Sequence, residues 1–356
     1  MKILALDIGA GTEDVLLYDD AKKNVENCLK MVLPAPTQVY AAQVKAATRL
    51  NQDLFINGDT IGGGAVSFAL RKHIEAELHV TMTERAAYTV RNDLDEVREA
   101  GIKIISTKAP VDFQGITLTF EEINLTTLQT FLTKFNEPLS DVDVVAVAVQ
   151  DHGVSPRGIS NRQFRIQKMK ELLTQNPRIE SLVFREDGVP PCFLRMQSAV
   201  EASKRQLPKA KVIIMDTAPA AIIGCLEDPV IKGAAKVLAV NVGNGHTMAA
   251  LIEDHEIIGV VEHHTQLLNP QKIEHLLVAF VDGKISNEEV FRDQGHGLFF
   301  LKKPWGFSTI ETIATTGPNR SLLTKTQLPV HFAVPGGDVM MTGTVGLVEA
   351  TKRILS

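Results

Sequence analysis

Three groups of residues in this sequence stand where chemistry is usually done. Asp7 closes the apolar run Ile3-Leu4-Ala5-Leu6 and is followed by Gly9-Ala10-Gly11-Thr12 and a second apolar run. Far downstream, Asn241 closes Val237-Leu238-Ala239-Val240 and is followed by Gly243-Asn244-Gly245-His246-Thr247 and Met248-Ala249-Ala250-Leu251. Between the two, Gln150-Asp151-His152-Gly153 ends the run 144–149, with Arg162 and Arg165 shortly after and Asp216 beyond the run 211–215. A carboxylate at a strand end suits magnesium, which keeps several waters and takes one or two carboxylates. Glycines beside it open conformations closed to other residues and remove side chains that would hold a ligand off. A tight turn then aims several N–H groups at one spot, as a phosphate requires; Thr12 adds a hydroxyl. Two such turns face to face would grip a polyphosphate from both sides. One copy of so short a glycine motif is as readily an ordinary hairpin. Repetition in the same order is what makes it informative.

The elements that must hold these residues follow from periodicity. Residues 3–8, 143–149, 211–215 and 237–242 read as buried strands, because they are continuous aliphatic runs ended by glycine or polar residues. In parallel α/β sheets the C-terminal strand ends line the ligand crevice, so Gln150, Asp151 and His152 emerge together there. The helix opening at Asn161 adds Arg162 and Arg165, guanidinium groups suited to anions. The bland reading of that cluster is strand-end capping and surface charge. Helices are expected at 38–50, 84–100, 121–135, 196–205 and 342–355, strands at 24–33, 179–186, 309–316 and 329–334, and strand or hairpin at 103–120. The segment Gly58-Asp59-Thr60-Ile61-Gly62-Gly63-Gly64-Ala65 precedes a helix and could touch an anion. It lacks the Lys-Ser/Thr ending of a Walker A loop, and a close-packing turn is the favoured reading. Gly343 and Gly346 weaken the early turns of the last helix, which a flat ligand or a second backbone close by would justify.

Composition removes several classes of function. A chain of 356 residues exceeds a typical single core, and two domains are expected: 1–232 with an inserted subdomain at about 51–140, and 233–356 with an insertion at about 262–308 and its last helix packing back at the interface. Net charge is −5 without a basic run, so nucleic acid finds no electrostatic footprint. No apolar stretch approaches membrane-spanning length, and the first residues enter a strand directly, so no signal peptide and a cytoplasmic setting are expected. Cys28, Cys192 and Cys225 are isolated and form neither a metal knuckle nor a disulfide framework. Ten histidines invite a metal reading, with Glu262, His263, His264 and His296 foremost. Adjacent histidines on a strand point to opposite faces, and nothing shows the helical i, i+4 pairing of a zinc site, so structural zinc is set aside.

Taken together, LALDIGAGTEDV, IIMDTAPAAIIGCL, AVNVGNGHTMAAL, and IATTGPNR with VPGGDVMMTGTVGLVEA resemble, in order, the motifs of the actin, heat-shock-chaperone and sugar-kinase superfamily. These are its first phosphate motif, first connecting helix, second phosphate motif, and adenosine segment with second connecting helix. The resemblance implies an α/β protein of two ribonuclease-H-like domains, mixed sheets with helices, closing over Mg-ATP. Asp7 would hold Mg2+ through water; Gly9, Gly11 and Thr12 would contact phosphates from one side and Gly243, Gly245 and Thr247 from the other, while Gly317, Gly336 and Gly337 would flank the adenosine. The sequence departs from the pattern twice: Asn241 replaces the usual Asp, and Thr217, beside Asp216, replaces the chaperones' Glu. Hydrolysis is therefore in question while binding of ATP is little affected. The Gln150–Gly153 cluster is also similar to the Gln-x-His-Gly loop of carbohydrate kinases. The whole chain further resembles a family in this superfamily that is sometimes labelled as a pyruvate formate-lyase activating enzyme. A radical-generating activase needs a three-cysteine iron–sulfur motif, which scattered cysteines do not give.

Three functions follow. The first is an ATP-dependent kinase or phosphotransferase for a small molecule, with Asp151 as base, Asp216 in reserve, and Gln150, His152, Arg162 and Arg165 orienting the substrate. The second is a nucleotide-dependent switch, assembly or chaperone-like protein with weak hydrolysis, which Asn241 favours. The third is a protein that kept the fold and lost ATP. The sequence names no substrate, and a homo-oligomer stays open.

Overall fold

A computed structural model describes residues 1–106 and 112–356. The chain opens with β1 (Lys2–Ile8), β2 (Thr12–Asp19) and β3 (Leu29–Pro34). A small block follows with β4 (Leu54–Gly58), β5 (Val80–Thr83), β6 (Ile102–Ile105) and β7 (Ile116–Phe120). The first large sheet is completed by β8 (Val144–Val149), β9 (Val183–Arg185) and β10 (Lys211–Met215). The second contains β11 (Lys236–Val242), β12 (His246–Glu253), β13 (Glu256–His264), β14 (Gly297–Phe300), β15 (Thr312–Thr316) and β16 (Val330–Phe332).

The two large sheets run β3-β2-β1-β8-β10-β9 and β14-β13-β12-β11-β15-β16. Both contain one five-strand plan. In the first, β1 pairs antiparallel with β2 and parallel with β8, which runs parallel to β10. In the second, β11 pairs antiparallel with β12 and parallel with β15, which runs parallel to β16. This is the ribonuclease-H-like order expected from sequence, present twice. The copies differ at their edges: β9 extends the first beyond β10, and β14 extends the second beyond β13. The central strands are covered on both faces, which is why β8 is aliphatic throughout and wholly buried.

Two helices join the copies, and each lies on the other copy's sheet. The Thr217–Leu226 helix, which follows β10, packs on β11 and β15; the Thr342–Leu355 helix, at the end of the second copy, packs on β1, β2 and β8. They cross where side chains are absent. A methyl group at Gly346 would overlap the Ala220 carbonyl oxygen, and one at Gly224 would overlap that of Thr342. Of the early glycines of the last helix, Gly346 is thus explained by a second backbone, while Gly343 stands against the Asp7 side chain.

Several local expectations change. The 84–100 segment breaks into Glu84–Ala87 and Leu94–Glu99, because Asp93 caps a new helix by accepting the Asp95 N–H at 2.8 Å. The strand expected at 24–33 is confined to Leu29–Pro34, with a 3-10 turn at Val25–Asn27 before it. At 179–186 the strand is only Val183–Arg185. The material at 103–120 is not a hairpin. β6 and β7 sit at opposite edges of a parallel sheet ordered β6-β5-β4-β7, and residues 107–111 of that expectation lie outside the described ones. No helix among the described residues is long and apolar enough to cross a membrane.

Candidate active site

The hairpins β1–β2 and β11–β12 open into one cleft of about 1400 Å³. Their turns are built alike: Gly9 N–H donates to Thr12 O at 2.9 Å, and Gly243 N–H to His246 O at 3.0 Å. They also approach each other, since a Cβ on Gly11 would lie 2.5 Å from the Asn244 amide nitrogen. None of the four turn glycines has a positive φ. Closeness, rather than a special backbone conformation, requires glycine at Gly11 and at Gly243, where a Cβ would lie 2.8 Å from His246 O.

Asp7 and Asn241 both line this cleft. Asp7 is directly opposite Asp14 in the β1–β2 register, so both carboxylates leave the same face. An Oδ1 on each is buried without a hydrogen-bond partner. Burial, then the charge of Asp14, raises Asp7 well above the usual carboxylate range; burial lifts Asp14 to about 7 and Glu13 to about 8. Buried carboxylates without partners are costly, and a divalent cation bound by Asp7 and Asp14 would remove that cost. The donor set fits magnesium. The last helix closes over the pair, for any side chain at Gly343 would overlap the Asp7 carboxylate.

The shared turn bond fixes which residues correspond. Thr12 corresponds to His246, and the Asp7–Asp14 pair to Asn241–Met248. The second hairpin carries one residue more between glycine and threonine, so the expected match of Thr247 to Thr12 fails. Thr247 is buried behind the turn, its hydroxyl 3.0 Å from that of Thr265. The adenosine expectation is also corrected in part. Gly317 lines the cleft, with φ +97° and Asn241 Oδ1 2.7 Å from where its Cβ would stand. Gly336 and Gly337 do not; Gly336 O accepts the Lys30 ammonium at 2.8 Å, against the Val25–Cys28 segment. Thr316, Pro318, Val339 and Met340 take their place in the wall.

At the far end of the cleft the expected substrate residues divide. Gln150, Asp151, His152 and Arg162 line it; Arg165 and Asp216 do not. Arg165 is buried, donating from Nη1 and Nη2 to Asp216 (2.6 and 3.0 Å) and from Nε and Nη2 to Glu262 (2.7 and 3.0 Å). It therefore ties the first copy to the second and has no donor pair left for a substrate. Burial alone would raise Glu262, but the Arg165 charge holds it well below the usual range. Asp216 also caps its helix, accepting Ala218 N–H at 3.1 Å. Asp151 accepts Gly153 N–H on Oδ1 (2.8 Å) and the N–H groups of Arg195 and Met196 on Oδ2 (2.9 and 3.1 Å). Asp216, with four donors, cannot take a proton without releasing a backbone or guanidinium donor, whereas Asp151, with three, keeps one acceptor site on Oδ1. Arg162 is held by Gly295 O at 2.9 Å and stacks on Phe291.

Four histidines gather here. The rings of His152, His246, His264 and His296 lie 4.6 to 5.5 Å from their neighbours, centroid to centroid. Burial lowers all the shifted members: His152 well below its usual value, His246 to about 3, His264 to about 4. His263 points to the other face of β13, toward Asp293 at 3.2 Å, as strand alternation requires.

Sequence reasoning missed Asp14, Arg195 and the role of His246. Asp14 was readable: counting equally outward from the Gly9–Gly11 turn places it opposite Asp7. Arg195, whose Nε donates to buried Glu122 at 3.1 Å and Nη1 to Gln150 O at 2.9 Å, is joined by chain packing alone.

Comparison with known proteins gives one family and several folds. The family model described as "Putative pyruvate format-lyase activating enzyme (DUF1786)" matches residues 61–322. No curated protein matches the chain. Among solved structures, the chain is similar to the Listeria monocytogenes Lmo2764 protein, described as "a putative N-acetylmannosamine kinase", at 12% identity over 100% of both chains with TM-score 0.38. It is similar to a ROK hexokinase from Thermus thermophilus at 12% identity over 100% of both chains, TM-score 0.33. A Ppx/GppA family member from Aquifex aeolicus matches at 11% identity, covering 89% of this chain and 66% of that one, TM-score 0.31. An iron–sulfur centre does not fit the residues present. Cys28 and Cys225 are buried, Cys192 is partly so, and among the described residues the one metal-spaced cluster contains no cysteine.

Proposed function

The chain belongs to the DUF1786 family, and from its cleft rather than that family's description we propose that it binds Mg-ATP and transfers phosphate to a small molecule. The observation that carries this reading is the pairing of Asp7 and Asp14, two buried, unpartnered carboxylate oxygens beside twin glycine turns. Asp7 and Asp14 would hold the magnesium ion, and Gly9–Thr12 and Gly243–Gly245 would cradle the phosphates. Bound magnesium neutralises charge on the phosphates, and phosphoryl transfer otherwise asks mainly for positioning. Gly317 and the Thr316–Pro318 wall would flank the adenosine. Gln150 and Arg162 stand at the acceptor end. A cytoplasmic setting and a homo-oligomer are compatible with this reading and are not needed by it.

Titration calorimetry with ATP and magnesium tests it. Binding should require magnesium and weaken by about 100-fold in Asp7→Asn; absence of heat with the wild-type protein removes the reading. Product formation from radiolabelled ATP with pooled small metabolites then tests transfer.

A second reading, a nucleotide-dependent switch, is favoured by one fact: Asp216 has every acceptor site taken and Asp151 has three of about four taken. It expects assembly that changes with ATP, seen by light scattering, and no phosphorylated product.

A further inference from the structure

We propose that His152, His246 and His296 bind one divalent transition-metal ion, zinc foremost, at the far end of the cleft. Each contributes a ring nitrogen, and these atoms all lie within 4.8 Å of one another. The three arrive on separate elements: the loop after β8, the first residue of β12, and the loop before β14. Imidazole is a ligand of choice for zinc, copper, iron and nickel, and the inference stands whether or not nucleotide binds.

The arrangement does not behave as a hydrogen-bonded histidine network. Among the described residues, no imidazole of the three bonds another. His296 is 1% exposed, and neither of its ring nitrogens has a hydrogen-bond partner. Its Nδ1 lies 3.0 Å from Glu262 Oε2 and faces that carboxylate, so the nitrogen left for a metal is Nε2. An orphaned buried ring nitrogen is costly, and coordination would remove that cost.

The surroundings supply what metal-bound histidines need. Ligating imidazoles are held by a carboxylate, carbonyl or similar group on their other side. Glu262, fixed by Arg165, stands behind His296. The Gln150 amide lies 2.8 Å from His246 Nδ1. Amide oxygen and nitrogen are interchangeable in position, so a flipped amide accepts from Nδ1–H and leaves Nε2 for the metal. Three nitrogen ligands leave one position of a tetrahedral zinc open. All three histidines line the cleft, so that position faces the acceptor end.

The test uses the full chain, stripped with a chelator and titrated with Zn2+ or Co2+ alone, without nucleotide. Wild type should take up one equivalent, and Co2+ should show visible bands of nitrogen-ligated, four-coordinate metal. His296→Ala and His152→Ala should each lose stoichiometric uptake, while His263→Ala, on the opposite face of β13, should keep it. Gln150→Leu should weaken affinity by about 10- to 100-fold. Circular dichroism of each variant separates lost ligation from lost fold. Failure of the wild type to bind either ion, or equal uptake by folded His296→Ala, overturns the assignment. Neither result bears on magnesium-dependent ATP binding, which is read separately.

Discussion

The two hairpins share their strand order, their turn hydrogen bond and their place on one cleft, yet they present opposite chemistry to it. The first offers facing carboxylates, Asp7 and Asp14; at the same register the second offers an amide and a thioether, Asn241 and Met248. Where the first turn has Thr12, the second has His246, joined by His264 and His296. A repeated backbone plan thus fixes where side chains stand and leaves their chemistry free. One side suits a hard, oxygen-seeking cation, the other a nitrogen-seeking one.

Four measurements would break or sharpen this contrast. The largest effect concerns Arg165, whose guanidinium joins Asp216 of one copy to Glu262 of the other. Arg165→Met leaves two buried carboxylates unpaired and should cost about 3–5 kcal/mol in urea unfolding at neutral pH; a loss under 1 kcal/mol would mean the copies are held together elsewhere. Next is the cation. Asp7→Asn should weaken magnesium-dependent ATP binding by about 100-fold, the upper range for changes around a metal, whereas Asn241→Ala should change it only a few-fold. Equal losses would make the hairpins equivalent and end the contrast.

The third is pH. Burial raises Asp14 to about 7 from 3.8, so the fold binds the proton more tightly than the unfolded chain does. Stability from this group is complete below pH 4 and declines as pH rises toward 7. His246 is lowered to about 3 from 6.5, so its contribution is complete above pH 6.5 and declines as pH falls toward 3. The two contributions slope oppositely between pH 4 and 6.5, so in metal-free melts across that window Asp14→Asn should make stability rise more steeply with pH and His246→Gln should make it fall; the same change of slope in both variants would show that the sites are not separate. The smallest effect is at the turns. Nothing lies within 4 Å of a Cβ on Gly245, so Gly245→Ala should gain about 0.4–1 kcal/mol by stiffening the unfolded chain. Gly11→Ala, which must displace the Asn244 amide, should gain nothing in the same melts.

Much of this was legible because it is local. Apolar runs ended by glycine or polar residues gave β1, β8, β10 and β11 nearly to the residue, and the repeated glycine hairpin gave the doubled plan. Asp7, Asn241, Gly317 and the Gln150–His152 cluster reach one cleft because each follows a strand whose end is set by its own sequence. What escaped was set by register or by distant packing. Thr247 was misassigned because the two turns are equally long and the second threonine stands one position later, where strand alternation turns its side chain away from the cleft. Gly336 and Gly337 sit in a turn whose direction depends on the segment containing Lys30, far away in sequence. Arg165 looked like a free guanidinium because neither Asp216 nor Glu262 is near it along the chain. Zinc at Glu262, His263, His264 and His296 was set aside for lack of helical spacing, and His152 and His246 were not joined to that set because they stand far away in sequence, after β8 and at the start of β12.

The seating of Gly343 on Asp7 has a consequence for how the protein is made. Asp7 leaves the ribosome well before the Thr342–Leu355 helix that packs over it. At translation rates of roughly 5–20 residues per second, the nascent hairpin waits about 20 to 70 s before that helix can reach it. Until then Asp7 lacks the cover that Gly343 gives it in the finished fold.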